Sequence, residues 1–195
     1  MNANNNKMND KWIKKYLYNR IPLKILSFVS MNPGKILSAH EISIKTKSSK
    51  GAVNQTLRLL VKLDILYREK RGNVYIYKLN NDNNILKQFK KFENVIALRK
   101  LVNLLKPYSY QIILFGSAAD GSNSNDSDID MFIKTEFKSN VEKIMSKSID
   151  KSFNIQSVIQ DPLEISASEK DDNVFFEQVK KGIVLWDGKP TYEEI

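Results

Sequence analysis

Gly116, Ser117, Asp128 and Asp130, set in the phrase ILFGSAADGSNSNDSDIDMFI, have the types and spacing of a site for phosphate and a cation. The residues before Gly116 (111–115, QIILF) form a short apolar run of the kind a buried strand uses, and Ser117, Ala118 and Ala119 after it are small. A strand that turns at glycine into the start of a helix leaves N–H groups without helical acceptors. With a serine hydroxyl beside them, such groups suit phosphate oxygens. The segment 120–127 is rich in Gly, Ser, Asn and Asp and reads as a surface loop, after which Ile129, Met131, Phe132 and Ile133 restore an apolar strand. Asp128 and Asp130 are two apart on that strand, so their carboxylates project from one face. A carboxylate pair on a strand beside a phosphate cradle suits Mg²⁺ or Mn²⁺, which take oxygen ligands from the protein and from substrate phosphates.

The Gly-Ser pair, the ten-residue spacer (118–127) and the Asp-x-Asp resemble the minimal nucleotidyltransferases of the DNA polymerase β superfamily, antitoxin-type members included. The resemblance covers roughly the C-terminal half. It implies that Gly116 and Ser117 contact the triphosphate of ATP or another NTP. It also implies that Asp128 and Asp130 ligate the metals that promote attack on the α-phosphate. The competing reading is a polar loop between two core strands with incidental acids; the combination of strand, Gly-Ser, loop length and paired acids favours the site. In that superfamily a later strand supplies a third carboxylate. Here the strand is expected over 153–159, and the third position falls on Gln156, which ligates weakly and cannot act as a base. Asp161 and Glu164, just beyond it, are acids that could take its place.

The elements that must carry this site occupy the acidic part of the chain. Residues 1–109 hold 22 Lys+Arg against 6 Asp+Glu, a net of +16, whereas residues 110–195 hold 9 against 16, a net of −7, which together give the overall +9. A basic module joined to an acidic one is the asymmetry expected if the first approaches a polyanion, although an Asn- and Lys-rich composition would also contribute to it. Apolar spacing predicts a helix over 21–31 (Ile25, Leu26, Val29), stopped at Asn32, Pro33 and Gly34. Ser38 can cap a second helix from Ala39 to about Lys45, and Ser48 or Ser49 a third to about Leu63. On the third, Val53, Leu57, Leu60 and Val61 give one apolar face and Lys50, Asn54, Gln55, Arg58 and Lys62 the other. Strands are expected over 65–69 and 74–79 around a turn at 70–73.

Three helices and a basic hairpin make a winged helix-turn-helix, and 21–79 resembles winged-helix transcriptional regulators through its element order and the phrase LRLLVKLDILYREKRGNVYIYKL. The resemblance implies double-stranded DNA as a partner, with the third helix in the major groove and the wing on phosphate or the minor groove. Ser49, Lys50, Asn54, Gln55, Arg58, Lys62 and Arg71 are then the DNA-facing residues, Asn54, Gln55 and Arg58 suiting base edges and Lys50, Lys62 and Arg71 phosphates. Winged helices also dock proteins, where the same residues are only solvated.

The expected fold is thus α+β. It has a partly helical N-terminal extension (1–20), a winged helix-turn-helix (21–80) and, after a polar break at 80–84, a nucleotidyltransferase-like domain (85–195). That domain is a mixed sheet with flanking helices. Its leading helix, with apolar residues from Ile85 to Leu105, ends at Pro107 and could belong to this domain, bridge the modules or form a homodimer seam. Further helices are expected around 141–149 and 175–179, then a strand over 183–186. The stretch FFEQVKKGIVLWDG also resembles the C-terminal end of winged-helix-fused nucleotidyltransferases. Zero cysteines and one histidine, His40, leave no zinc cluster and no Ser-His triad, and His40 is expected at the surface. A polar start and the lack of any long apolar run point to a cytoplasmic protein without a membrane partner. Three functional readings follow. The first is a metal-dependent nucleotidyltransferase acting on a protein or small-molecule hydroxyl, with a toxin as one possible protein acceptor. The second is a DNA-binding regulator that senses nucleotide, and the third is an interaction module without catalysis.

Overall fold

In the computed structural model, residues 21–124, 126–148, 154–168 and 173–192 are described; the N-terminal extension expected over 1–20 lies outside them. The chain divides into two compact units, Met1–Ile96 and Ala97–Ile195.

The first unit runs α1 (Ile21–Ser30), β1 (Leu37–Ser38), α2 (Ala39–Thr46), α3 (Lys50–Lys62), β2 (Leu66–Arg71) and β3 (Val74–Leu79). Its three strands form an antiparallel sheet in the order β1-β3-β2. The apolar periodicity of the helices closes one core, in which Ile25 and Val29 of α1, Ile42 of α2 and Val53, Leu57 and Leu60 of α3 pack with Ile65, Tyr77 and Leu79. Each fully buried Leu or Ile contributes about 1.5–3 kcal/mol, so α3 is held by its inner face and its outer face is free of any packing duty. The Ser38 hydroxyl accepts from the Glu41 N–H at 3.2 Å, and that of Ser49 from the Ala52 N–H at 3.3 Å. Ser48 caps nothing and donates to the Thr46 carbonyl.

The short strand β1 was not expected from the sequence, and two further details differ. β2 continues to Arg71, which pairs with Val74, so the turn shrinks to Gly72 and Asn73. Gly72, at φ +57°, takes the first turn position, which demands a positive φ in such a hairpin. The polar stretch 80–84 is not a bare break, because Asn80 Nδ2 donates to the Asp64 carbonyl at 2.9 Å and Asn83 Nδ2 to those of Leu63 and Asp64 at 3.1 Å. Asn83 Oδ1 also accepts from the Leu86 N–H at 3.0 Å, capping the helix that follows.

That helix, α4 (Asn84–Leu105), runs through the division between the units and ends in a 3₁₀ turn at Lys106–Tyr108. The second unit continues with β4 (Gln111–Phe115), α5 (Gly116–Asp120), β5 (Ile129–Lys134), α6 (Lys138–Ser148), β6 (Ile155–Gln160), α7 (Pro162–Ser168), α8 (Asn173–Lys180) and β7 (Ile183–Asp187). Its mixed sheet has the order β6-β5-β4-β7, with β5 and β6 parallel and the other pairs antiparallel. Strand alternation divides the side chains into two layers. Ile112, Leu114, Ile129, Met131 and Ile133 pack with Leu98, Leu101 and Leu105 of α4 and Val141 and Met145 of α6. Ile113, Phe115 and Phe132 face the other way, against Phe176 and Val179 of α8 with Ile165 of α7. The central strand β4 is covered on both faces, which is why its sequence is apolar throughout.

Candidate functional site

β4 and β5 bring the four signature residues together. Phe115, the last residue of β4, lies opposite Asp130, so the chain leaves the sheet at Gly116 directly beside the second aspartate. Gly116 has φ +66°, and a Cβ there would run into the Asp130 carboxylate, lying 3.2 Å from its Cγ. Only glycine lets the backbone pass at this distance with that conformation. Ser117 follows in the first turn of α5, where N–H groups lack acceptors within the helix. Its carbonyl accepts from the N–H groups of Gly121, Ser122 (3.0 Å) and Asn123 (3.3 Å), which folds the loop back onto the Gly-Ser turn. Further along, the Ser127 hydroxyl accepts from the Ser124 N–H at 2.9 Å, so the polar loop is tied by its own short side chains before it reaches Asp128.

Parallel pairing sets β6 beside the acids. Asp130 is in register with Gln156, and the Ile129 N–H donates to the Asn154 carbonyl at 2.8 Å, which places Asn154 alongside Asp128. Asn154 Nδ2 donates to Asp128 Oδ1 at 2.6 Å, and Gln156 Nε2 to Asp128 Oδ2 at 2.5 Å. Half-buried Asp130 shares its face with Phe115 and Phe132, and Phe175 stands edge-on to both rings at 5.6 and 6.2 Å. Burial raises the Asp130 carboxyl above the ordinary carboxylate range, and the charge of Asp128 adds to the rise. Asn154 was not foreseen from sequence, although its signal was available: it stands two residues before Gln156 and so shares its face.

Asp161 and Glu164 do not complete this site. They follow the far end of β6, five or more residues beyond Gln156 at about 3.3 Å per residue along the strand. There they cap α7 as a pair: the Asp161 carboxylate accepts from the N–H groups of Leu163 and Glu164 at 2.9 Å, and Glu164 Oε2 from the Asp161 N–H at 3.0 Å. Lys138 bridges to both.

The donor set at Asp128 and Asp130 fits a hard divalent cation. The two carboxylates are oxygen ligands of the kind such a cation takes, and a half-buried acid raised first by burial and then by the charge of Asp128 is a place where positive charge is welcome. Among the described residues no group of three or more His, Cys, Asp or Glu converges.

In the first unit, Lys50, Asn54, Gln55, Arg58 and Lys62 all lie exposed on α3. Arg71 ends β2, where its guanidinium meets Glu69 at 3.0 Å, and Ser49 is spent as the α3 cap. On the hairpin the Arg68 guanidinium stacks 4.5 Å over the Tyr75 ring. His40 is exposed.

The comparisons with known proteins bear on the second unit. Residues 99–191 match the family described as polymerase beta, nucleotidyltransferase, and the span includes Gly116, Ser117, Asp128, Asp130 and Gln156. The match lies within the second unit, covers just under half of the chain and leaves residues 1–98 outside it. No curated protein matches the chain. A crystal structure of a candidate nucleotidyltransferase from Sulfolobus solfataricus is similar at 23% identity, covering 50% of this chain and 87% of that one with a TM-score of 0.32. Human N-acetylserotonin methyltransferase, solved in complex with SAM, is similar at 11% identity, covering 81% and 68% with a TM-score of 0.30. At TM-scores this low neither likeness carries an argument. Among the described residues no helix is long and apolar enough to cross a membrane.

Proposed function

We propose that this chain is a metal-dependent nucleotidyltransferase that moves a nucleoside monophosphate from an NTP, ATP first among them, to a hydroxyl of a protein or small molecule. Its first unit, on this reading, is a winged helix-turn-helix that binds double-stranded DNA. The observation that carries the reading is the close approach of Gly116 to the Asp130 carboxylate, which sets the phosphate-facing turn and the paired acids at one sheet end. The N–H groups of the opening turn of α5 and the Ser117 hydroxyl would hold phosphate oxygens, while Asp128 and Asp130 would hold Mg²⁺ or Mn²⁺. When bound, the cation neutralises phosphate charge and lowers the pKa of the acceptor hydroxyl. The acceptor oxygen forms its bond to the α-phosphorus, the bond from that phosphorus to the oxygen bridging to the β-phosphate breaks, and pyrophosphate leaves. Gln156 offers no base, so the acceptor proton goes to solvent.

A second reading is favoured by Gln156, which stands where the superfamily pattern asks for a carboxylate. In it the chain is a DNA-binding regulator whose second unit binds nucleotide or a partner without transfer. The DNA-binding part of both readings rests on the order α1-β1-α2-α3-β2-β3, the exposed basic and amide face of α3, and the charge of +16 over residues 1–109. Incubation with α-labelled ATP, Mg²⁺ and candidate acceptors, a partner toxin among them, separates the two. Label on an acceptor that disappears in Asp128→Ala and Asp130→Ala supports transfer; no aspartate-dependent label on any acceptor while ATP still binds favours the regulator.

A further inference from the structure

We propose, resting on the nucleotide-site reading above, that Asn154 and Gln156 form a carboxamide pair that clamps Asp128 and limits the pocket to one divalent cation. The four side chains make a two-by-two array on adjacent parallel strands, Asp128 and Asp130 on the β5 side, Asn154 and Gln156 on the β6 side. Each oxygen of Asp128 accepts one amide hydrogen bond, at 2.6 and 2.5 Å. An ionised carboxylate only accepts, so both amides must present their NH₂ groups to it, whatever the ambiguity of amide orientation elsewhere. Asp128 is thereby fixed from both sides, yet each oxygen keeps a lone pair for a cation.

Paired divalent cations stand about 3.5–4 Å apart and repel, so such centres depend on anionic ligands to offset the repulsion. This array supplies two negative charges, both from β5, and neutral groups from β6. A cation held by Asp128, Asp130 and the triphosphate finds two carboxylates. A second, on the β6 flank, would meet Gln156, a neutral carboxamide whose NH₂ group is turned to Asp128, in place of a carboxylate. The second position therefore lacks the anionic ligand that would offset repulsion between the cations.

The test is a Mn²⁺ titration of the full chain, followed by electron paramagnetic resonance, with a non-hydrolysable ATP analogue at saturation. The wild type is expected to take one Mn²⁺ per nucleotide-bound chain and Gln156→Glu to take two. Asn154→Ala should keep the stoichiometry of one and bind it about tenfold more weakly, the loss usual for an outer-shell partner. Asn154 and Gln156 are both exposed, so neither variant removes core packing, and a thermal melt checks that each is folded. Two equivalent Mn²⁺ in the wild type, a single one in Gln156→Glu, or undiminished affinity in Asn154→Ala would overturn the proposal. Equilibrium dialysis with the labelled analogue tests the underlying reading separately: analogue not retained by the wild type removes the nucleotide site itself.

Discussion

A methyl group at position 116 would need space that the Asp130 carboxylate already fills, and it would have to do so at φ +66°. Gly116→Ala therefore acts on two levels. The left-handed conformation costs a non-glycine residue about 1 kcal/mol or more, and relief of the contact displaces the Asp130 carboxylate. The expected outcome is a modest fall in the melting temperature together with a loss of NTP affinity of at least tenfold, measured by calorimetry in Mg²⁺. A melting shift with undiminished NTP affinity would mean that the turn serves only the fold. Ala118 and Ala119, buried behind the same turn, show why small residues follow the serine: they pack inward with Ile112 and Leu114, leaving the open side of the turn to Ser117.

Among the elements, α7 has no fully buried residue; Ile165 packs partly against the core, and the start of the helix is held by charge and hydrogen bonds. The N–H of Glu164 holds the Asp161 carboxyl below the usual carboxylate range, with Lys138 adding to it; the Lys138 ammonium, then the Asp161 N–H, does the same for Glu164. Carboxyls depressed in the folded state stabilise it above their ordinary pKa, and that contribution is lost as pH falls through the depressed values. Glu164 likewise raises the Lys138 amine, whose share is present through neutral pH and lost only as pH rises through its elevated value. Hydrogen exchange at the N–H groups of Leu163 and Glu164, corrected for intrinsic pH dependence, should show opening of this turn in acid. Lys138→Ala should shift that opening to higher pH, whereas equal protection in the variant would remove Lys138 from the cap. The signature Asp161-Pro162-x-Glu164 stood in the sequence as a capping box with proline at the first helical position. Its acids drew attention as metal ligands, and the helix went unread. The two-residue β1 left no periodic signal at all, because only its pairing with Tyr77 and Ile76 defines it. By contrast α3 was legible from its serine cap and its apolar spacing, and the Gly-Ser and Asp-x-Asp from their place between apolar strands. The partner of Asp128 was half legible: alternation gave Gln156 a place on the acidic face, but no rule of spacing says that two amides reach across to the same carboxylate.

For the whole molecule, the division of charge leads to the last prediction. The basic excess lies in residues 1–109 and the acidic excess in residues 110–195, so a polyanion should bind through the first part and be repelled by the second. If α3 and the hairpin lie on duplex DNA, affinity must fall as salt rises, with a slope of about 0.9 in log–log terms for each phosphate neutralised. Lys50→Ala, Lys62→Ala and Arg71→Ala should each flatten that slope by about one unit and weaken binding alike on all sequences. Arg58 stands in the middle of the exposed face of α3, so Arg58→Ala should cost roughly 1–3 kcal/mol and relax discrimination at one position rather than change the slope. Fluorescence anisotropy with the full chain over a range of NaCl concentrations distinguishes these outcomes, and an affinity indifferent to both salt and Arg58 would rule out DNA as the partner of this face. The same titration repeated with ATP and Mg²⁺ reads the regulator alternative directly. A nucleotide that alters DNA affinity by some factor must have its own affinity altered by DNA by the same factor. Measuring both arms therefore checks the coupling against itself: a change in one arm without the other would assign the effect to ionic strength or aggregation, and no change in either would leave the two units energetically independent.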